Sequence, residues 1–164
     1  MNINRAVLVG LGALLIAGLF SSGCGRGKSP ESIMAAKNTR NIEKLATLYW
    51  AFQQENNWLG PKDEAAFKSW IAKYPPRKLK RIDIDPNNTT KIFVNERDGE
   101  PFKIRYGVKG KMTGCNEPVI FESVGKDGKK LVRFLCNVER EVNDADYNEL
   151  WERGFAFIRE QPKN

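Results

Sequence analysis

The chain reads as an α+β domain: helices at the N-terminal side, a four-stranded antiparallel meander sheet, and a C-terminal helix. Three observations predict this. Apolar residues recur at three- and four-residue spacing through residue 71, the period of an amphipathic helix. From Thr90 the period changes to two, and Asp-Gly pairs interrupt the alternation twice, at Asp98-Gly99 and Asp127-Gly128. An Asp-Gly pair between alternating runs is a strong hairpin signal. Past residue 143 the helical period returns. Helices segregated from a meander sheet belong to the α+β class.

The elements follow in chain order. Ser29-Pro30-Glu31 offers a capping side chain, a proline for the first turn and an acid for the positive end of the dipole. A helix is expected from there to Asn56, with Ile42, Leu45, Leu48, Tyr49 and Phe52 turned to the core. Asn56-Asn57 and Gly60-Pro61 stop it. A second helix is expected over residues 62–74, with Ala66, Phe67, Trp70 and Ile71 as its apolar stripe. Pro75-Pro76 ends it, because a proline disfavours helical geometry in the residue before it. Residues 75–90 read as a polar connector.

The first hairpin joins residues 91–95 to 102–106 around Asp98-Gly99, which sets Phe93 opposite Ile104 and Asn95 opposite Phe102. The second joins 119–123 to 131–138 around Asp127-Gly128, which sets Phe121 opposite Phe134 and Val119 opposite Cys136. Val132, Phe134, Cys136 and Val138 then share one face, and Arg133 and Asn137 the other. The last helix begins at Asp144, capped by Asp144 or Asn143, and runs to Phe157. Its apolar side is Tyr147, Leu150, Trp151 and Phe155.

Residues 1–30 carry a different message. Arg5 precedes an apolar run of about 15 residues that ends in Ser21-Ser22-Gly23-Cys24. A spanning helix needs roughly 20 apolar residues. A positive start, an apolar stretch and a small-residue exit are the layout of a secretory signal. A cysteine directly after small residues resembles a bacterial lipobox, although Ser21 stands where such sites usually carry Leu. The resemblance implies cleavage after residue 23, fatty acylation of Cys24, and a location on the cell envelope facing the periplasm or exterior. Residues 24–30 then form a lipidated tether, and residues 31–160 the domain. The remaining cysteines, Cys115 and Cys136, are an even pair for an oxidising compartment. A disulfide between them and two free thiols both stay open.

The chain has 164 residues, a formal charge of +7 and no histidine. The missing histidine removes Ser-His-Asp and Cys-His catalysis and every His-ligated metal site. No catalytic set, metal site or cofactor motif stands in its place, so a non-enzymatic role is expected. Asp144, Asp146 and Glu149, with Glu139 and Glu141, suit a helix start better than acid/base work. Asp83-Ile84-Asp85-Pro86-Asn87 has acids at alternate positions, but Asn88 sits where an EF-hand needs Gly. Trp58 is the one tryptophan set in a loop, where packing, a ligand and a membrane stay open as its contact. The basic run Arg77, Lys78, Lys80 and Arg81 reads as a solvated loop or as a contact for anionic lipid heads or acidic wall polymer. An exported chain does not meet nucleic acid.

Two segments resemble bacterial prepilin-like and type II secretion pseudopilin proteins. One is Asn41-Ile42-Glu43-Lys44-Leu45-Ala46-Thr47-Leu48-Tyr49, similar to their amphipathic N-helix. The other is Arg97-Asp98-Gly99-Glu100-Pro101-Phe102-Lys103-Ile104-Arg105-Tyr106, similar to the Gly-x-Pro-aromatic hairpin of major pseudopilins. Residues 134–150 look like the end of a related domain, with Cys136-Asn137 in place of the usual turn glycine. The resemblance implies an α+β fold and envelope or secretion proteins as partners. A true prepilin carries a cleavage site followed by Glu in a long apolar helix, and this chain has neither. Two roles therefore stand beside the anchored interaction domain. One is a single-pass pseudopilin-like component of a secretion or fibre machine, the other a periplasmic ligand-binding domain.

Overall fold

The computed structural model describes residues 40–110, 117–135 and 138–160. Cys24, Cys115 and Cys136 lie outside them, as do the signal, the tether and the expected helix start at Ser29-Pro30.

Helix α1 spans Asn41–Glu55. It is capped from a distance: the Asn41 N–H donates to the Glu96 carboxylate at 2.8 Å. An acid there meets the positive end of the helix dipole. Helix α2 spans Glu64–Lys73, and the Asp63 carboxylate accepts from the Ala66 N–H at 2.7 Å as its cap. Residues 75–90 are more than a connector. Pro76–Arg81 forms a short helix, α3, and Thr89–Phe93 a 3-10 turn. Proline fits the first helical turn because its missing N–H would be unpaired there anyway. Leu79 and Ile82 are buried and tie α3 down.

The sheet has four antiparallel strands in sequence order, as the α+β reading expects: β1 (Lys103–Ile104), β2 (Pro118–Phe121), β3 (Lys130–Phe134) and β4 (Glu139–Val142). The membership differs from the expectation. Residues 91–95 are mostly 3-10 and join the sheet side only through a Val94–Pro101 bridge. Residues 131–138 are not one strand. Leu135 turns the chain, and residues 139–142 return along β3 with Val132 opposite Arg140. The acids at 139 and 141 are thus strand residues.

Both registers also shift. Phe102 donates its N–H to the Phe93 carbonyl at 3.0 Å and Asn95 donates to Glu100 at 2.9 Å, so Phe93 faces Phe102 and not Ile104. In the second hairpin Phe121 pairs with Val132 and Pro118 with Phe134, not Phe121 with Phe134. The turn itself forms at Asp127-Gly128, with Lys126 bridged to Lys129. Residues 123–125 swell outward between turn and strand, and Val124 is exposed. A second irregularity lies between Pro118 and Ile120.

Both faces of the sheet are covered. On β3, Leu131 alternates with Val132 and Arg133 with Phe134, and all four are buried. Leu131 and Leu135 join Leu45, Leu48, Tyr49, Phe67 and Ile71 in the large core under α1 and α2. Val132 and Phe134 join Phe121, Tyr147 and Leu150 in a smaller core under helix α4 (Asp144–Arg153). The Arg133 face is therefore not a solvent face. Asn143 caps α4, accepting from the Asp146 N–H at 2.9 Å. Gly154, with φ of 59°, stops it before Phe157, and a last short helix, α5, spans Phe155–Glu160.

Candidate functional site

Two surface features stand out, one electrostatic and one concave. The basic feature is α3. Arg77, Lys78, Lys80 and Arg81 are all exposed while Leu79 points inward, which is what a one-turn amphipathic helix allows. Among the described residues Arg77, Lys80 and Arg81 make no ion pair, and the Lys78 ammonium sits 5.2 Å from the Tyr74 ring centre. The following residues fix its place. Asp83 pairs with Lys44 of the first α1 turns at 3.2 Å. The basic helix therefore ends beside the end of α1 where residues 1–39 join the domain.

The concave feature is a cleft of about 380 Å³ along β1. Phe102, Ile104 and Tyr106 line one side, and Tyr147, Asn148 and Trp151 of α4 line the other. Phe102, Ile104 and Tyr147 are buried beneath the cleft, and Glu64 and Lys103 also line it. Trp151 is held edge-on to Phe121, ring centres 5.1 Å apart. The Tyr147 hydroxyl is engaged below, donating to the Glu122 carbonyl at 2.8 Å. Burial, with the Glu122 and Asp144 charges adding, pushes its pKa up to about 12. Burial likewise raises the Tyr106 pKa, with the Glu64, Tyr49 and Asp63 oxygens adding. Both phenols stay protonated at neutral pH.

The other residues singled out in the sequence are spent on structure. Each acid of the expected cluster has its own partner. Glu139 meets Arg40 at 2.8 Å, Glu141 meets Arg97 at 2.9 Å, Asp144 meets Lys130 at 2.8 Å and Glu149 meets Arg153 at 3.1 Å. Asp146 lies at the cap of α4. Asp85 makes a local turn, accepting from the Asn87 N–H at 2.9 Å. Among the described residues no three His, Cys, Asp or Glu converge as a metal site. Trp58 is half-buried with φ of 64°. Its carbonyl accepts from Gly110 at 2.7 Å, so the loop is locked.

Sequence reasoning missed the cleft. Its members were visible separately, Phe102, Ile104 and Tyr106 by strand parity and Trp151 by helical spacing. Nothing local in the sequence brings β1 and α4 together.

A second missed feature is polar and buried. Glu122 is fully buried between the hairpins. It accepts from the Asn95 amide at 2.9 Å and from the Leu131 N–H at 2.7 Å, with Arg97 at 3.8 Å. Both carboxylate oxygens are hydrogen-bonded, as a buried carboxylate requires, while among the described residues the Arg97 Nε beside them is buried without a hydrogen-bond partner. It joins the hairpins and is not open to a ligand.

No protein-family model matches the chain, nor does any curated protein or solved structure. Among the described residues no helix is long and apolar enough to cross a membrane.

Proposed function

We propose that this is an exported, lipid-anchored, non-enzymatic domain of the cell envelope with a structural or protein-interaction role. The observation that carries the reading is the apolar run ending in Ser22-Gly23-Cys24. Acyl transfer to Cys24 would place the domain on a short tether at a bilayer surface. The exposed charges of α3 lie beside the start of α1, and an acylated Cys24 upstream of that helix would bring anionic headgroups within their reach. Each such charge contributes about 1 kcal/mol near an anionic surface. Contact between α3 and the bilayer would therefore orient the domain and would weaken with salt.

The deciding experiment is metabolic labelling with a radioactive fatty acid such as palmitate. Wild-type chain takes up label and Cys24→Ala does not. Equal absence of label in both sinks the anchor. The pseudopilin-like reading has its own support in the Asn41–Tyr49 and Arg97–Tyr106 segments. In that case the chain keeps its apolar N-terminal segment in the membrane and crosslinks to like chains, and a soluble form after signal cleavage overturns it.

A further inference from the structure

The cleft along β1 brings polar groups without a partner among the described residues beside aromatic rings. Tyr49 shows the ordinary arrangement, its hydroxyl donating to the Arg105 carbonyl at 2.8 Å. Tyr147 does the same with Glu122. Trp70 donates its ring N–H to Glu55 at 2.9 Å. Among the described residues Tyr106, Asn148, Trp151 and Lys103 have no such partner, and all four line this one cleft. A phenol, a carboxamide, an indole N–H and an ammonium are thus gathered beside Phe102 and Ile104, and the Glu64 carboxylate, paired with Lys68, lines the same cleft.

The main chain adds to the set. Arg105 donates its N–H to the Val119 carbonyl at 2.9 Å, so Arg105 faces β2. Alternation along an antiparallel strand then turns the N–H and C=O of Ile104 outward, toward the cleft. The opening is short. At one end the Phe93 carbonyl takes the Phe102 N–H at 3.0 Å. At the other the Pro61 carbonyl takes the Gly107 N–H at 2.7 Å. An extended peptide needs a groove that runs on past both ends, and this one is closed by its own backbone. A compact ring fits it. The volume lies at the small end of the roughly 300–1,000 Å³ span of ligand pockets.

The chemistry selects among compact ligands. Aromatic faces take up the C–H face of a sugar ring. Tyr106 and Asn148 each donate and accept, and Trp151 and Lys103 donate. Hydroxyl groups, which donate and accept at once, match that mixture better than a purely apolar or purely anionic ligand. The geometry points to a binding site for a short saccharide, one or two pyranose rings, between the β1 edge and α4. This rests on the cleft alone and stands whether or not Cys24 is acylated.

The test uses the full chain in detergent, titrated with N,N′-diacetylchitobiose and with maltose. Tryptophan fluorescence and saturation-transfer NMR follow binding. At least one disaccharide binds saturably, with a Kd on the order of 0.1–10 mM, a weak small-ligand affinity. Tyr106→Phe removes only a hydroxyl and Asn148→Ala changes only an exposed side chain. Each weakens binding at least threefold while the circular dichroism spectrum and Tm stay at wild-type values. No saturable binding of either sugar to the folded chain overturns the proposal. So does binding that Asn148→Ala and Tyr106→Phe leave unchanged. Binding of a decaproline peptide at these residues, with no response to either sugar, also overturns it.

Discussion

The Asp98-Gly99 and Asp127-Gly128 turns share a dipeptide and differ in nearly everything else. At the second, Asp127 and Gly128 both have positive φ, 52° and 72°, the two-residue turn that matches strand twist. Lys126 and Lys129 close it. At the first, only Gly99 is positive, with φ of 78°. The loop widens to residues 96–99, and Gly99 donates its N–H back to the Asn95 carbonyl at 2.9 Å. The reason is tertiary. The Asp98 carboxylate accepts from the Gly125 N–H at 3.0 Å, and Arg97 reaches the Lys126 carbonyl at 3.2 Å. The first turn is shaped by docking on the second, and the second needs only its own residues.

Breaking the dock should produce the largest effect. Glu122→Ala leaves the Asn95 amide and Leu131 N–H unpaired and Arg97 without its buried neighbour. Losing one partner of a buried charged network costs about 3–5 kcal/mol. The urea midpoint should fall accordingly. A loss below about 1 kcal/mol would mean that the hairpins hold together without this carboxylate.

How much of this was legible depends on the range of the cause. The Asn143 and Asp63 caps, the Leu45–Leu48–Tyr49 stripe and the Asp127-Gly128 turn follow from neighbours in sequence. The register of Phe93 did not, because Glu122 and Gly125 decide it from across the sheet. A helix at Pro76 was hidden by four charges in six residues, and only Leu79 marked its inner face. The strand at residues 139–142 was hidden because Glu139 and Glu141 suit the helix start that follows, whereas Arg40, Arg97 and Arg133 pair with them from across the fold. The cleft was illegible for the same reason: each of its walls is an ordinary amphipathic segment.

Glycine substitution separates the turns at an intermediate scale. No atom stands within 4 Å of a Cβ added at Gly99 or at Gly128, so the cost at both is backbone strain alone. Gly128→Ala forces an L-residue into the left-handed region of a turn with no slack, at about 1–2 kcal/mol. Gly99→Ala sits in a wider loop whose shape is held by side chains, and should cost less. Thermal unfolding of the two variants side by side reads the difference. Equal losses would show that the first turn is as locally determined as the second.

The smallest expected effect is in pH. Burial alone would raise the Asp98 pKa, but hydrogen bonds from the Glu100, Gly125 and Val124 N–H groups and the Asn95 side chain outweigh it and hold the pKa below the ordinary 3.8. A carboxyl whose folded pKa is depressed contributes stability that is complete above the unfolded value and is lost as the pH falls through the folded one. Wild-type chain should therefore lose stability as the pH drops below about 3.8, through docking of the first turn. Asp98→Asn cannot titrate and keeps only part of the contact with Gly125. It should be slightly less stable at neutral pH and flatter in acid, so that the two curves converge at low pH. Asp127→Asn, which also tolerates positive φ, should leave the unfolding midpoint at neutral pH close to wild type. Parallel curves for Asp98→Asn and wild type would place the docking in the backbone and in Glu122 instead of in the Asp98 carboxylate.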